Sequence, residues 1–151
     1  MDRNDVLILE ALQKDSSRSI TDLAETAGVS ASACHRRIKA LETSGVITGY
    51  AAQIDPHQLG LKLQAFVEIT LTSQSREAKE RFESAVARFD EILDCHLMAG
   101  HADYLLRVAA RDLEQYDGIH RDCLASLPGV SAMRSAFAIR QIKGWSGYPL
   151  H

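Results

Sequence analysis

The sequence predicts an α+β chain in two parts, a helix-turn-helix followed by a ferredoxin-like βαββαβ domain. Three observations carry that reading. Apolar residues in the first fifty positions recur at helical spacing around a Gly28-Val29-Ser30 turn. The rest of the chain switches between period-two and helical patterning in the order strand, helix, strand, strand, helix, strand. Pro56 and Gly60 punctuate the stretch between them. Residues 1–50 are therefore expected to form the helix-turn-helix, 51–60 a linker, and 61–151 the βαββαβ domain.

An apolar share of 46% and a charged share of 25% are globular values and exclude a disordered chain. No apolar run approaches the roughly 20 residues that span a bilayer. The start, Met1-Asp2-Arg3-Asn4-Asp5, lacks the basic-then-apolar pattern of a secretory leader, so a cytoplasmic location with no membrane partner is expected. Cys34, Cys95 and Cys123 are odd in number and lack metal-ligand spacing, which argues for buried thiols rather than a disulfide framework or a metal site. With a net charge of -3, any nucleic-acid surface must be local.

Element by element, Val6, Leu7, Leu9, Ala11 and Leu12 mark a first helix. Ser19 caps a second from Ile20 to about Ala27, with Asp22 at the capping-box position and Gly28 as its stop. Ser30 caps a third, whose inward residues Cys34, Ile38 and Leu41 fall on one face. The opposite face carries Ser32, His35, Arg36 and Lys39, with Arg37 at its flank, and no acid occurs between Ser30 and Ala40. Short polar side chains at a helix start reach base edges, and Arg or Lys along the flanks meets phosphates. Ser30, Ser32, Ala33, His35, Arg36, Arg37 and Lys39 are the candidate contacts to double-stranded DNA. Val46-Ile47-Thr48-Gly49-Tyr50 then leaves as a short extended segment.

In the second part, the alternation of Leu63, Ala65, Val67, Ile69 and Leu71 is that of a half-buried strand. Ser75 to Phe89 is helical, Ile92 to Ala99 and Tyr104 to Ala110 form a hairpin around Gly100-His101-Ala102-Asp103, and Asp112 caps a further helix ended by Pro128-Gly129. Val130 to Ile142 supplies the last strand, with Met133, Phe137 and Ile139 on one face. Two helices cover only one side of such a sheet. Phe66, Met98 and Leu105 sit where the other side should be polar, so at least a homodimer is expected.

These residues resemble the leucine-responsive regulatory protein/AsnC family. The matching stretches are Asp2-Arg3-Asn4-Asp5, Asp22-Leu23-Ala24 through Gly28-Val29-Ser30, Arg36-Arg37-Ile38-Lys39-Ala40-Leu41-Glu42, Gly45 to Tyr50, Gly100 to Val108, and Leu127-Pro128-Gly129-Val130. Ala31 departs from the proline many members carry at the first helical position. The resemblance implies a transcription regulator with a winged helix-turn-helix, a β linker and a βαββαβ domain. It further implies assembly beyond the dimer, commonly to an octamer, and an amino-acid effector bound without any other cofactor.

By the same resemblance, the Gly100 to Asp103 turn lines the effector site. The chemistry agrees: Gly100 admits close backbone approach, turn N–H groups hold a carboxylate, and Asp103 meets an ammonium. Equally, Asp103 can serve as an ordinary turn cap. Met98, Gly100, His101, Ala102, Asp103, Tyr104 and Ser135 are the candidate effector residues, of which Met98, Tyr104 and Ser135 are placed by proximity to the turn and by the expected last strand. Two other readings compete with this one. Catalysis fails because the neighbours Cys95 and His96 point to opposite faces of a strand, and no phosphate loop or metal set is present. A ligand-independent architectural DNA-binding protein would use the same basic helix without operator preference.

Overall fold

A computed structural model describes residues 1–150 of the chain. It divides into two compact units, residues 1–53 together with the tail from Ile142, and Ile54–Gln141.

The first unit holds three helices, α1 (Arg3–Lys14), α2 (Ile20–Ala27) and α3 (Ala31–Thr43). Each starts on a side-chain cap that satisfies N–H groups the helix cannot: Asp2 for α1, Ser19 for α2 and Ser30 for α3. Asp2 with Asp5 and Ser19 with Asp22 form reciprocal capping boxes. Gly28 ends α2 in the left-handed conformation at φ 68°, which turns the chain straight into the cap of α3. The core is Ile8, Ala11, Leu23, Ala24, Ala27, Cys34 and Ile38, drawn from all three helices. Residues 46–50 leave α3 without joining a sheet.

In the second unit, β1 (Leu63–Leu71), β2 (Ile92–Leu97), β3 (Tyr104–Ala110) and β4 (Val130–Ala138) form one antiparallel sheet in the order β2-β3-β1-β4. Helices α4 (Arg76–Val86) and α5 (Leu113–Asp122) contribute Phe82, Ala85, Val86, Tyr116 and Ile119 to the same core as Val67, Ile69, Leu106 and Val108 of the sheet. This is the βαββαβ order read from the sequence. Burial alternates B-i-B-i along β3, so one face is packed and the other open. Phe66, Glu68, Leu105, Arg107 and Arg134 lie on the open face by register, and Asp94 pairs with Arg107 there at 2.7 Å.

Two boundaries differ from the sequence reading. The last strand stops at Ala138, four residues short of Ile142, where its pairing with β1 ends at Gln64, and Ile139 is fully exposed. The residues after Gln141 fall in the first unit, where the expectation had carried the sheet domain to 151. Within the expected linker, Asp55 caps a tight turn over Pro56–Gly60 that closes when Leu61 N–H donates to the Pro56 carbonyl. Among the described residues, no helix is long and apolar enough to cross a membrane.

Candidate DNA interface and ligand turn

Helix α3 presents the basic face its sequence predicts, with one exception. Cys34, Ile38 and Leu41 point into the core, which leaves Ser32, His35, Arg36 and Lys39 exposed on the other side. The Ser30 hydroxyl accepts from the Ala33 N–H at 3.2 Å and stands 3.2 Å from the Ser32 hydroxyl. Ser30 thus works as a cap, and Ala33, half-buried, takes part through its backbone. Lys39 pairs with Glu42 at 2.8 Å, an exposed contact weak enough to yield to a phosphate. Arg36 forms no ion pair among the described residues.

The exception is Arg37. Its Nη1 donates to Asp2 Oδ2 at 2.7 Å and to Asp5 Oδ1 at 2.8 Å, the two acids that cap α1. The N–H of Asp5 and then the guanidinium hold the Asp2 carboxyl below the ordinary carboxylate range. Arg37 therefore ties the middle of α3 to the start of α1, and its charge is already matched. The sequence signal existed in the Asp2…Asp5 box and an arginine 32 residues beyond Asp5, yet helical patterning alone cannot show that α1 returns to that spot.

In the second unit, the turn after β2 brings four of the seven ligand candidates together as consecutive residues. Met98 N–H donates to the Asp103 carbonyl, and Asp103 N–H donates to the Ile69 carbonyl, each at 2.8 Å. Gly100 and His101 are exposed, and Ala102 and Asp103 half-buried. Among the described residues, the N–H groups of Gly100, His101 and Ala102 donate to nothing within the chain. The Asp103 carboxylate accepts from Leu71 N–H at 2.7 Å through Oδ2 and from Gln74 Nε2 at 2.8 Å through Oδ1. The Leu71 bond and then Gln74 keep this carboxyl below its usual range, so it is an anion at neutral pH. Sequence reasoning missed Gln74, which reaches Asp103 from the loop after β1.

Met98 is exposed beside this turn, but Tyr104 and Ser135 are not brought to it. Tyr104 is 1% exposed on the helix-covered face, stacked on Phe82 with its hydroxyl donated to Glu83 at 2.7 Å. Ser135 stands opposite Val67 on β4, across β1 from the hairpin, with its hydroxyl 2.6 Å from that of Tyr116. Packing accounts for both residues. Burial pushes the Cys95 thiol up to about 11, so it stays protonated at neutral pH and lacks the thiolate a nucleophile needs.

A helix-turn-helix with a basic third helix, joined to a separate α+β domain, is the build of a DNA-binding regulator. The comparisons give the same class: a winged helix-turn-helix DNA-binding family matches residues 1–48, and the Lrp/AsnC ligand binding domain matches residues 64–146. The chain belongs to the Lrp/AsnC family of transcription regulators. The leucine-responsive regulatory protein of Klebsiella pneumoniae is 39% identical over 143 residues, covering 95% of this chain and 87% of that protein. An AsnC family transcriptional regulator from Agrobacterium tumefaciens has a TM-score of 0.94 at 39% identity, covering 99% of this chain and 97% of that one. A transcriptional regulator from Neisseria meningitidis, solved as a complex with L-Met, has a TM-score of 0.93 at 33% identity with the same coverage. These relatives are regulators, not enzymes.

Proposed function

We propose that this regulator senses a free α-amino acid at the Gly100–Asp103 turn and reads double-stranded operator DNA with α3. The observation that carries the ligand reading is the turn itself, where three unpaired N–H groups stand beside an ionised carboxylate. A zwitterion needs both partners. Its carboxylate meets the N–H groups, and its ammonium meets Asp103, whose oxygens have lone pairs beyond those given to Leu71 and Gln74. The exposed Met98 and His101 side chains are placed to meet the effector side chain. The L-Met bound by the Neisseria meningitidis regulator supports an amino acid as the ligand class.

On DNA, Ser32, His35 and Arg36 meet base edges, with Arg36 able to hold guanine through paired donors, while Lys39 meets phosphate. Ser30 and Ala33 set the helix start, and Arg37 holds α3 in place. Two copies joined through the open sheet face present two such helices to successive major grooves, and further assembly to an octamer extends that arrangement. A ligand-independent architectural role has less support, because the matched C-terminal family is a ligand-binding domain.

A thermal-shift screen of the twenty amino acids tests the ligand reading. A ligand at 100 times its Kd stabilises the native state by about 2.7 kcal/mol, so a true effector raises the melting temperature visibly. No shift with any of the twenty at millimolar concentration contradicts it.

A further inference from the structure

The chain's last stretch belongs to the DNA-binding unit, not to the sheet domain that precedes it. It docks on α1 through backbone. The Tyr148 N–H donates to Gln13 Oε1 at 2.6 Å and Gln13 Nε2 donates to the Tyr148 carbonyl at 3.1 Å, so one side-chain amide imitates a neighbouring strand. Gly147 makes the approach possible. Its φ is +100°, and a Cβ there would stand 2.6 Å from Gln13 Oε1 and 3.1 Å from Gln13 Cβ. Trp145 packs edge-to-face on Tyr148 with ring centroids 4.7 Å apart. Trp145, Tyr148 and Leu150 line a cavity of about 640 Å³ together with Leu9, Leu12 and Tyr50.

Helix α1 is consequently held at both ends. Asp2 and Asp5 at its start are tied to Arg37 of the recognition helix, and Gln13 in its last turn is tied to the tail. Between these points, Ile8 and Ala11 share a core with Cys34 and Ile38 of α3. A shift of α1 at the Gln13 end is therefore felt at α3 through packed side chains and the Arg37 ion pair.

We propose that the C-terminal tail is a working part of the DNA-binding unit: docked on Gln13, it steadies α1 and through it the setting of the recognition helix. Gln13 is a positioning residue in this arrangement. Two solvent-exposed hydrogen bonds make a weak hold, so small changes release the tail. Because the tail is continuous with β4, it gives the C-terminal domain a second, hydrogen-bonded connection to DNA recognition besides the covalent one near Gln53.

Trp145 is the chain's only tryptophan, so its fluorescence anisotropy reports tail docking directly. The test uses the full chain with Gln13→Ala and, separately, Gly147→Val, and a labelled duplex selected by the wild-type protein from a random-sequence pool. Both variants are expected to lower the Trp145 anisotropy and to weaken binding of that duplex at least fivefold, with the far-ultraviolet circular dichroism unchanged. A chain ending at Gln141 should match them in DNA affinity. Arg36→Ala is the control, weakening DNA binding while leaving the tryptophan signal in place. Duplex affinity within twofold of wild type after tail release overturns the proposal, as does tighter binding. Unchanged Trp145 anisotropy in both variants overturns it too, since the tail is then not held by this contact.

Discussion

Arg37 Nη1 lies 2.8 Å from Asp5 Oδ1, so an arginine in the middle of the recognition helix is bound to the acidic start of α1. Two adjacent arginines on one helix thereby have different work. Arg36 makes no ion pair among the described residues, and Arg37 joins two helices.

That division predicts opposite profiles for two alanine variants. Arg36→Ala should weaken binding to the preferred duplex by about 1–3 kcal/mol, with a smaller loss on unrelated DNA and no change in melting temperature. Arg37→Ala should lower the melting temperature, by an amount that shrinks in high salt because the pair is near the surface. Anisotropy titrations and thermal melts on both variants check this. Equal thermal loss in the two would remove the distinction.

Acid should loosen the same contact. The Asp2 carboxyl is lowered in the folded chain from its ordinary value of 3.8, chiefly by the Asp5 N–H and then by Arg37. A depressed folded-state value means the contribution is complete above that ordinary value and is lost as pH falls through the lower, folded one. Melts between pH 6 and pH 3 should show stability falling below about pH 4, with a shallower fall in Asp2→Asn. Equal slopes for wild type and variant would show that Asp2 contributes nothing.

Much of this was legible in the sequence. Caps at Ser19, Ser30, Ser75 and Asp112 and the left-handed Gly28 are local features, so residue type and spacing place them. Period-two alternation likewise placed β1, and a short apolar run beside a turn placed β3; the inner faces of both are buried. What escaped were pairings between residues far apart in the chain, namely Arg37 with Asp2 and Asp5, Gln74 with Asp103, and Gln13 with Tyr148. No periodicity encodes these. Tyr104 was named for its nearness to the turn and Ser135 for its place on the last strand, but strand alternation sends both side chains to the helix-covered face.

The open sheet face yields a prediction about assembly. Phe66 is 37% exposed there, directly across from Arg107 on β3 and Ala136 on β4. Phe66→Lys puts a like charge beside Arg107 and an unpaired cation in the proposed interface. The dimer dissociation constant should rise at least tenfold by sedimentation, because truncating or charging a buried aromatic anchor costs about 2 kcal/mol or more. Association unchanged in a folded variant would place the dimer contact elsewhere.

The most direct test of the account is calorimetry with the amino acid that gives the largest thermal shift, on the wild-type chain and on Asp103→Asn. The substitution keeps the side chain's size and one acceptor for Leu71 N–H while removing the charge proposed to meet the ammonium. An ammonium left without its anion in a partly desolvated site loses several kcal/mol, so the variant should bind at least a hundredfold more weakly. It should still associate as the wild type does and hold the same duplex without ligand. Undiminished amino-acid binding in a folded, associated Asp103→Asn chain would contradict the assignment of this turn as the sensor.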